Sequence, residues 1–291
     1  MSKINIQFPD SSTKEFRSGI SCLEIVKSIS NSLAKKVLVV SFNNNLIDIS
    51  SELKESGKIK FLTWDDDAGK STFWHSSAHI LAEAVETIYP GVKFGIGPPI
   101  SNGFYYDIDF VDYDVSKIDV SKIEKKFLEL ASSPLSFSRS EISKKDALKF
   151  FNEKNDQYKI ELINDLKDGE ISFYKQGNFT DLCKGPHLPS SKFIKSFKIL
   201  NIAGAYWRGD EKNNQLTRLY AISFPNTNLL EDHLEKLEEA KKRDHRKLGK
   251  ELELFFFSES VGSGLPIWLP NGHVVRENLI EFMRKEQIKQ G

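Results

Sequence analysis

His75 and His79 stand four residues apart in a stretch that reads as helix. Cys183 and His187 keep the same interval in Asp181-Leu182-Cys183-Lys184-Gly185-Pro186-His187. On a helix that interval sets two imidazoles on one face, about one turn apart. In the second pair Gly185 and Pro186 argue for a loop. Three of the six histidines and one of the two cysteines fall in these pairs. Neutral imidazoles and a thiolate are a ligand set for tetrahedral zinc. The same groups can instead line a metal-free pocket that moves protons near neutral pH. Spacing does not choose between these, and a pair of half-buried, hydrogen-bonded histidines without chemistry is the plainer reading of the helix pair.

The elements that must position these groups follow from the pattern. Ile4 to Phe8 alternates as a strand, Pro9-Asp10-Ser11-Ser12 turns the chain, and a second strand lies near Lys14 to Arg17. Leu23, Val26, Ile29 and Leu33 share a helical face. Strands at Val37–Phe42 and Lys58–Leu62 complete a ββα-and-strands order that fits a β-grasp module. Trp64 to Lys70, with three acids and a glycine, reads as a linker. The helix carrying His75 and His79 is expected from Ser71, capped by Ser71 or Thr72, to Pro90-Gly91. A tight loop at 95–103 and a strand from Phe104 to Phe110 come next. Charged helices are expected at 120–131 and 144–152, one long helix over 228–252, and a last helix from about His273 to Gln290.

Composition narrows the function. The 291 residues hold 41 basic and 41 acidic side chains, a balance that argues against a generic nucleic-acid binder, though not against a local basic patch. The most polarised stretch, Lys241 to Lys250, has six basic residues and one acid. Its plain reading is a solvated helix end, and its sharper reading is contact with RNA phosphates. Two cysteines cannot build a disulfide framework. No apolar run reaches the length of a signal peptide or membrane span, so a soluble cytoplasmic protein is expected. Gly95-x-Gly97-Pro98-Pro99 lacks the third glycine of a dinucleotide fingerprint, and no Walker loop is present.

Five segments in order resemble bacterial-type threonyl-tRNA synthetases: HSSAHILAEAV at 75–85, GPPISNGFYYD at 97–107, DLCKGPHLP at 181–189, GAYWRGD at 204–210 and RDHRKLGKELELF at 243–255. The resemblance implies an α+β chain of four parts: a β-grasp TGS module over 1–63, an α+β editing domain over 64–225, a linker helix over 226–245, and the start of a class II catalytic domain over 246–291. The later catalytic motifs, which in the family use ATP and Mg, the downstream Zn site and the anticodon-binding domain would lie beyond the chain. On this reading the chain does not aminoacylate by itself. It retains the editing reaction, which hydrolyses Ser-tRNA(Thr) and needs no cofactor. The implied partner is tRNA(Thr), with no membrane; full-length members are homodimers, and this shorter chain is compatible with a monomer.

Carried across position by position, the resemblance implies catalytic roles for His75, His79, Lys159, Cys183 and His187. It implies substrate contacts for Asp181, Tyr105 and Gly97. Lys241, Lys242, Arg243, Arg246 and Lys247 are the candidate tRNA contacts. Two other classes fit the same sequence: a freestanding trans-editing hydrolase, which would have no use for residues 246–291, and a non-catalytic tRNA-binding module, which would bind without hydrolysis.

Overall fold

The computed structural model describes residues 2–262 and 264–291. Its α+β architecture divides into two compact units, residues 1–230 and 231–291.

The first unit opens with a five-stranded sheet in the order Thr13–Arg17, Lys3–Gln7, Gly57–Leu62, Val39–Phe42, Asn45–Ile47. Lys3–Gln7 runs parallel to Gly57–Leu62, and the other neighbours are antiparallel. The helix Cys22–Ile29 buries Cys22, Ile25 and Val26 against Ile4, Ile6, Val40 and Ile59 of this sheet. Ser21 and Glu24 cap it reciprocally, each side chain bonding the other's backbone N–H. The expected continuous face to Leu33 is interrupted at Ser30, whose hydroxyl starts a separate short helix, Asn31–Ala34.

The stretch expected as a linker is structured. The long helix runs Asp67–Ile88, starting four residues before the expected Ser71. Trp64 anchors its approach, edge-on to Phe73, Trp74 and Phe224. Asp66 accepts from the Thr63 N–H and pairs with Lys60, and an acid in the first turn suits the helix dipole.

This helix packs on a second sheet ordered Ser196–Tyr206, Gln215–Phe224, Gly103–Asp109, Lys93–Phe94, with Pro99–Ile100 also paired to Gly103–Asp109. A third sheet, Ser138–Glu141, Ser172–Gln176, Phe179–Leu182, delivers the chain to the Cys183–His187 loop.

The expected single helix over 228–252 is two, Thr227–Lys242 and His245–Glu251. Asp244 breaks it: its carboxylate accepts from the Arg246 N–H and caps the second helix in the middle of the charged run. Strands Phe255–Phe257 and Pro266–Trp268 pair antiparallel. The last helix starts at Pro270, a proline in the first turn where no N–H is needed, and so precedes the expected His273. Among the described residues no helix is long and apolar enough to cross a membrane.

Candidate active site

The two four-residue pairs converge. The ligand-capable atoms of His75, His79, Cys183 and His187 all lie within 4.8 Å of one another. The long helix supplies the histidine pair on one face, as its spacing requires. Cys183 and His187 come from the loop that follows Phe179–Leu182. Cys183 Sγ is 3.3 Å from His75 Nε2 and 3.2 Å from His187 Nε2. His79 and His187 are buried, whereas His75 and Cys183 are half-buried and form the side open to solvent.

Ser76 sets the proton arrangement of His187. Its hydroxyl donates to the Thr72 carbonyl at 2.9 Å, so the oxygen accepts from His187 Nδ1 at 3.0 Å and from the Leu188 N–H at 2.9 Å. With Nδ1 protonated, Nε2 offers its lone pair toward the cysteine. The ring is stacked on Phe137 and edge-on to Tyr174, which holds its plane.

Burial dominates the electrostatics. It lowers His75 to about 4 and His79 to about 3, against the opposing pull of Asp181, and pushes His187 well below its usual value. All three imidazoles are therefore neutral at pH 7. Burial likewise pushes the Cys183 thiol up to about 12, so in the metal-free site it is not a ready nucleophile. Among the described residues, His79 Nδ1, Glu83 Oε2 and Gln176 Oε1 are buried without a hydrogen-bond partner.

Beside the cluster lies a buried ion pair. Lys159 Nζ is 2.7 Å from Asp181 Oδ1, with both side chains 4% exposed. The helix Gln157–Asn164 positions Lys159, and its cap Asp156 also accepts from the Phe94 N–H, tying that helix to the second sheet. Asp181 further accepts from the Leu182 N–H and, at 2.5 Å, from the Tyr106 hydroxyl. Burial opposes its ionisation, but Lys159 and His79, together with the Lys159 and Tyr106 hydrogen bonds, leave it below the usual carboxylate range.

The strand geometry places Tyr105 on the face away from Asp181. Successive residues of Gly103–Asp109 point to opposite faces. Tyr106 faces Asp181, whereas Tyr105 lies against Tyr220 and under the Arg218 guanidinium, 3.9 Å from its ring centroid. Tyr106, which the sequence reading did not single out, is the tyrosine in contact with Asp181. Phe104 and Ile108, the apolar residues two positions either side, mark its face as the buried one. Gly97 is placed beside it: a Cβ there would sit 2.4 Å from the Tyr106 ring.

The basic run belongs to the second unit and shows no cluster of free cations. Lys241 pairs with Glu238, Lys242 and Arg243 with Glu239, Arg246 with Asp244, and Lys247 with Glu251. Every one of these basic side chains is more than half exposed.

The sequence carries two recognised domains. Residues 4–63 match the TGS domain, and residues 171–220 match the threonyl and alanyl tRNA synthetase second additional domain. The chain is 56% identical over 288 residues to the threonine–tRNA ligase of Cytophaga hutchinsonii, covering 99% of the chain and 45% of that protein. It is 51% identical over 286 residues to that of Parabacteroides distasonis, covering 98% and 44%. It is 51% identical over 288 residues to that of Flavobacterium psychrophilum, covering 99% and 44%. Along nearly its whole length the chain is similar to bacterial threonine–tRNA ligases. It spans slightly less than half the length of these relatives. The second-additional-domain match begins on the third sheet and takes in Asp181, Cys183 and His187, whereas His75, His79 and Lys159 precede it in the chain.

Proposed function

We propose that the protein joins threonine to tRNA(Thr) with ATP, and that the part seen here corrects the product by hydrolysing Ser-tRNA(Thr). The observation that carries this reading is the convergence of four His/Cys side chains beside the buried Lys159–Asp181 pair, partly within a domain shared with threonyl and alanyl synthetases. A separate correction step has a physical reason. Serine differs from threonine by one methyl, and a binding pocket gains only about 1–3 kcal/mol from such a difference.

The reaction adds water to the ester carbonyl and releases serine and the terminal ribose hydroxyl. His75, neutral and on the solvent side, takes a proton from the attacking water and returns one to the departing ribose oxygen. Lys159 offsets the negative charge that develops on the carbonyl oxygen. Asp181 meets the seryl ammonium, a role that requires Lys159 to release Oδ1. His79, Cys183 and His187 shape the pocket, and Tyr106 takes the pocket-tyrosine role in place of Tyr105.

Deacylation of Ser-tRNA(Thr) by the chain tests this. Loss of a general base lowers the rate about 10²–10⁴-fold, so His75→Ala is expected to fall in that range. Full activity in both His75→Ala and Lys159→Ala overturns the assignment. Tight tRNA binding without deacylation in the unaltered chain would favour a binding module.

The mutual approach of the four donor atoms supports a second reading. His75, His79, Cys183 and His187 would hold Zn²⁺, which when bound supplies a Lewis acid for water. Stoichiometric zinc in the purified protein, lost in Cys183→Ala, would replace the metal-free reading.

A further inference from the structure

Asp48 lies in the β-grasp module, directly after the strand Asn45–Ile47, and is far in sequence from every residue assigned above. Its carboxylate nonetheless reaches the candidate site. Oδ1 accepts from the His187 backbone N–H at 2.8 Å, and Oδ2 accepts from the Tyr174 hydroxyl at 2.7 Å. Both partners bear on the Cys183–His187 loop. Tyr174 is buried, and its ring is edge-on to the His187 imidazole with centroids 4.4 Å apart. Gly185 stands in the left-handed region at φ 71°, with no room for a side chain: a Cβ would come within 2.1 Å of the Tyr174 oxygen.

The loop is therefore gripped at its His187 backbone and at its glycine turn by one carboxylate and the tyrosine it orients. The β-grasp module has no further hydrogen bond to residues 183–187 among those resolved for the described residues. We propose that Asp48 is a positioning residue for the hydrolytic site, so that the β-grasp module holds Cys183 and His187 in register with His75. The kinetic consequence rests on the hydrolytic reading; the positioning itself does not.

The two cysteines provide a readout that needs no activity. Cys22 is fully buried in the β-grasp core and Cys183 is half-buried in the loop, so alkylation of each can be followed by mass spectrometry in one sample. A hydrogen bond to a charged group is worth enough that its loss is expected to raise Cys183 alkylation by about tenfold in Asp48→Ala. Cys22 should keep its slow rate, and exchange at the His187 amide should quicken in parallel. Asp48→Asn, which keeps an oxygen for the His187 N–H, should restore Cys183 alkylation to within about twofold of the unaltered chain. Tyr174→Phe, which keeps the ring and removes one of the two partners, should fall between. If the unaltered chain deacylates Ser-tRNA(Thr), Asp48→Ala should lower kcat and leave KM unchanged.

Unchanged Cys183 alkylation and unchanged His187 exchange in both Asp48→Ala and Tyr174→Phe overturn the proposal. An equal rise at Cys22 and Cys183 also overturns it, because it reports general loosening. Absence of deacylation in every variant, with the Cys183 response intact, removes the hydrolytic reading and leaves the positioning role standing.

Discussion

Two regions draw attention by charge and composition, and the structure treats them oppositely. The Lys159–Asp181 pair is buried beside three histidines and a cysteine. The basic residues singled out in the Lys241–Lys250 run are exposed, each beside an acid close by in the chain. Burying an ion pair is expensive, and well-packed apolar side chains are often as stable or more so. Exposed pairs are nearly neutral for stability. A charge kept where it is costly points to a task, whereas a charge on a wet helix is explained by solvation alone.

The largest effect that could break this contrast is Lys159→Ala. Removing one member of a buried pair costs about 3–5 kcal/mol, because the other charge stays buried without its counter-ion. Urea unfolding should show a loss of that size. An unchanged midpoint would mean the pair carries no burial cost. Next is Gly97→Ala. The added methyl meets the Tyr106 ring, and overpacking of this kind costs about 1–3 kcal/mol. The thermal midpoint should fall, and the bond from Tyr106 to Asp181 should be disturbed with it.

Glu83 tests the pH side of the contrast. Burial raises its carboxyl above 4.5 despite the bond from the Asn178 N–H. Its contribution to stability is complete below pH 4.5 and is lost as pH rises through the higher folded value. Glu83→Gln keeps an acceptor for Asn178 and removes the charge. The variant should therefore unfold at a higher temperature than the unaltered protein at pH 7, with the gap closing toward pH 4.5. A gap that widens on acidification would reverse the assignment. The smallest effect is expected from Lys241→Gln with Lys247→Gln. The unfolding midpoint should stay put, since exposed pairs contribute little. If these residues contact tRNA, weaker binding with a shallower salt dependence is the only change to be seen.

Legibility followed the same division. The four-residue spacing exposed His75 and His79 because a helix repeats on nearly that interval, and Gly185-Pro186 marked the second pair as a loop. Neither pair announced that it would meet the other, since their convergence depends on how the long helix packs against the second and third sheets. Lys159 entered only through resemblance, because a lone lysine on a short helix carries no periodic signal. Tyr105 entered through the resemblance, whereas alternation along the strand sets Tyr106 on the buried face shared by Phe104 and Ile108. Asp48 had no local signal at all, because its partners are 126 and 139 residues away. The break at Asp244 was missed because it depends on where one aspartate carboxylate turns, and periodicity does not record that.

The Ser76 hydroxyl has a consequence for the number of chemical species present. A neutral imidazole exists in two forms that differ by the seat of one proton, and a mobile ring samples both. Ser76 uses its single proton on the helix and both lone pairs on the loop, so His187 is left with one form. Whatever approaches Cys183, a water molecule or a metal ion, then meets the same lone pair in every copy of the protein. Ser76→Ala would turn that uniform population into a mixture, with no change in the set of residues lining the site.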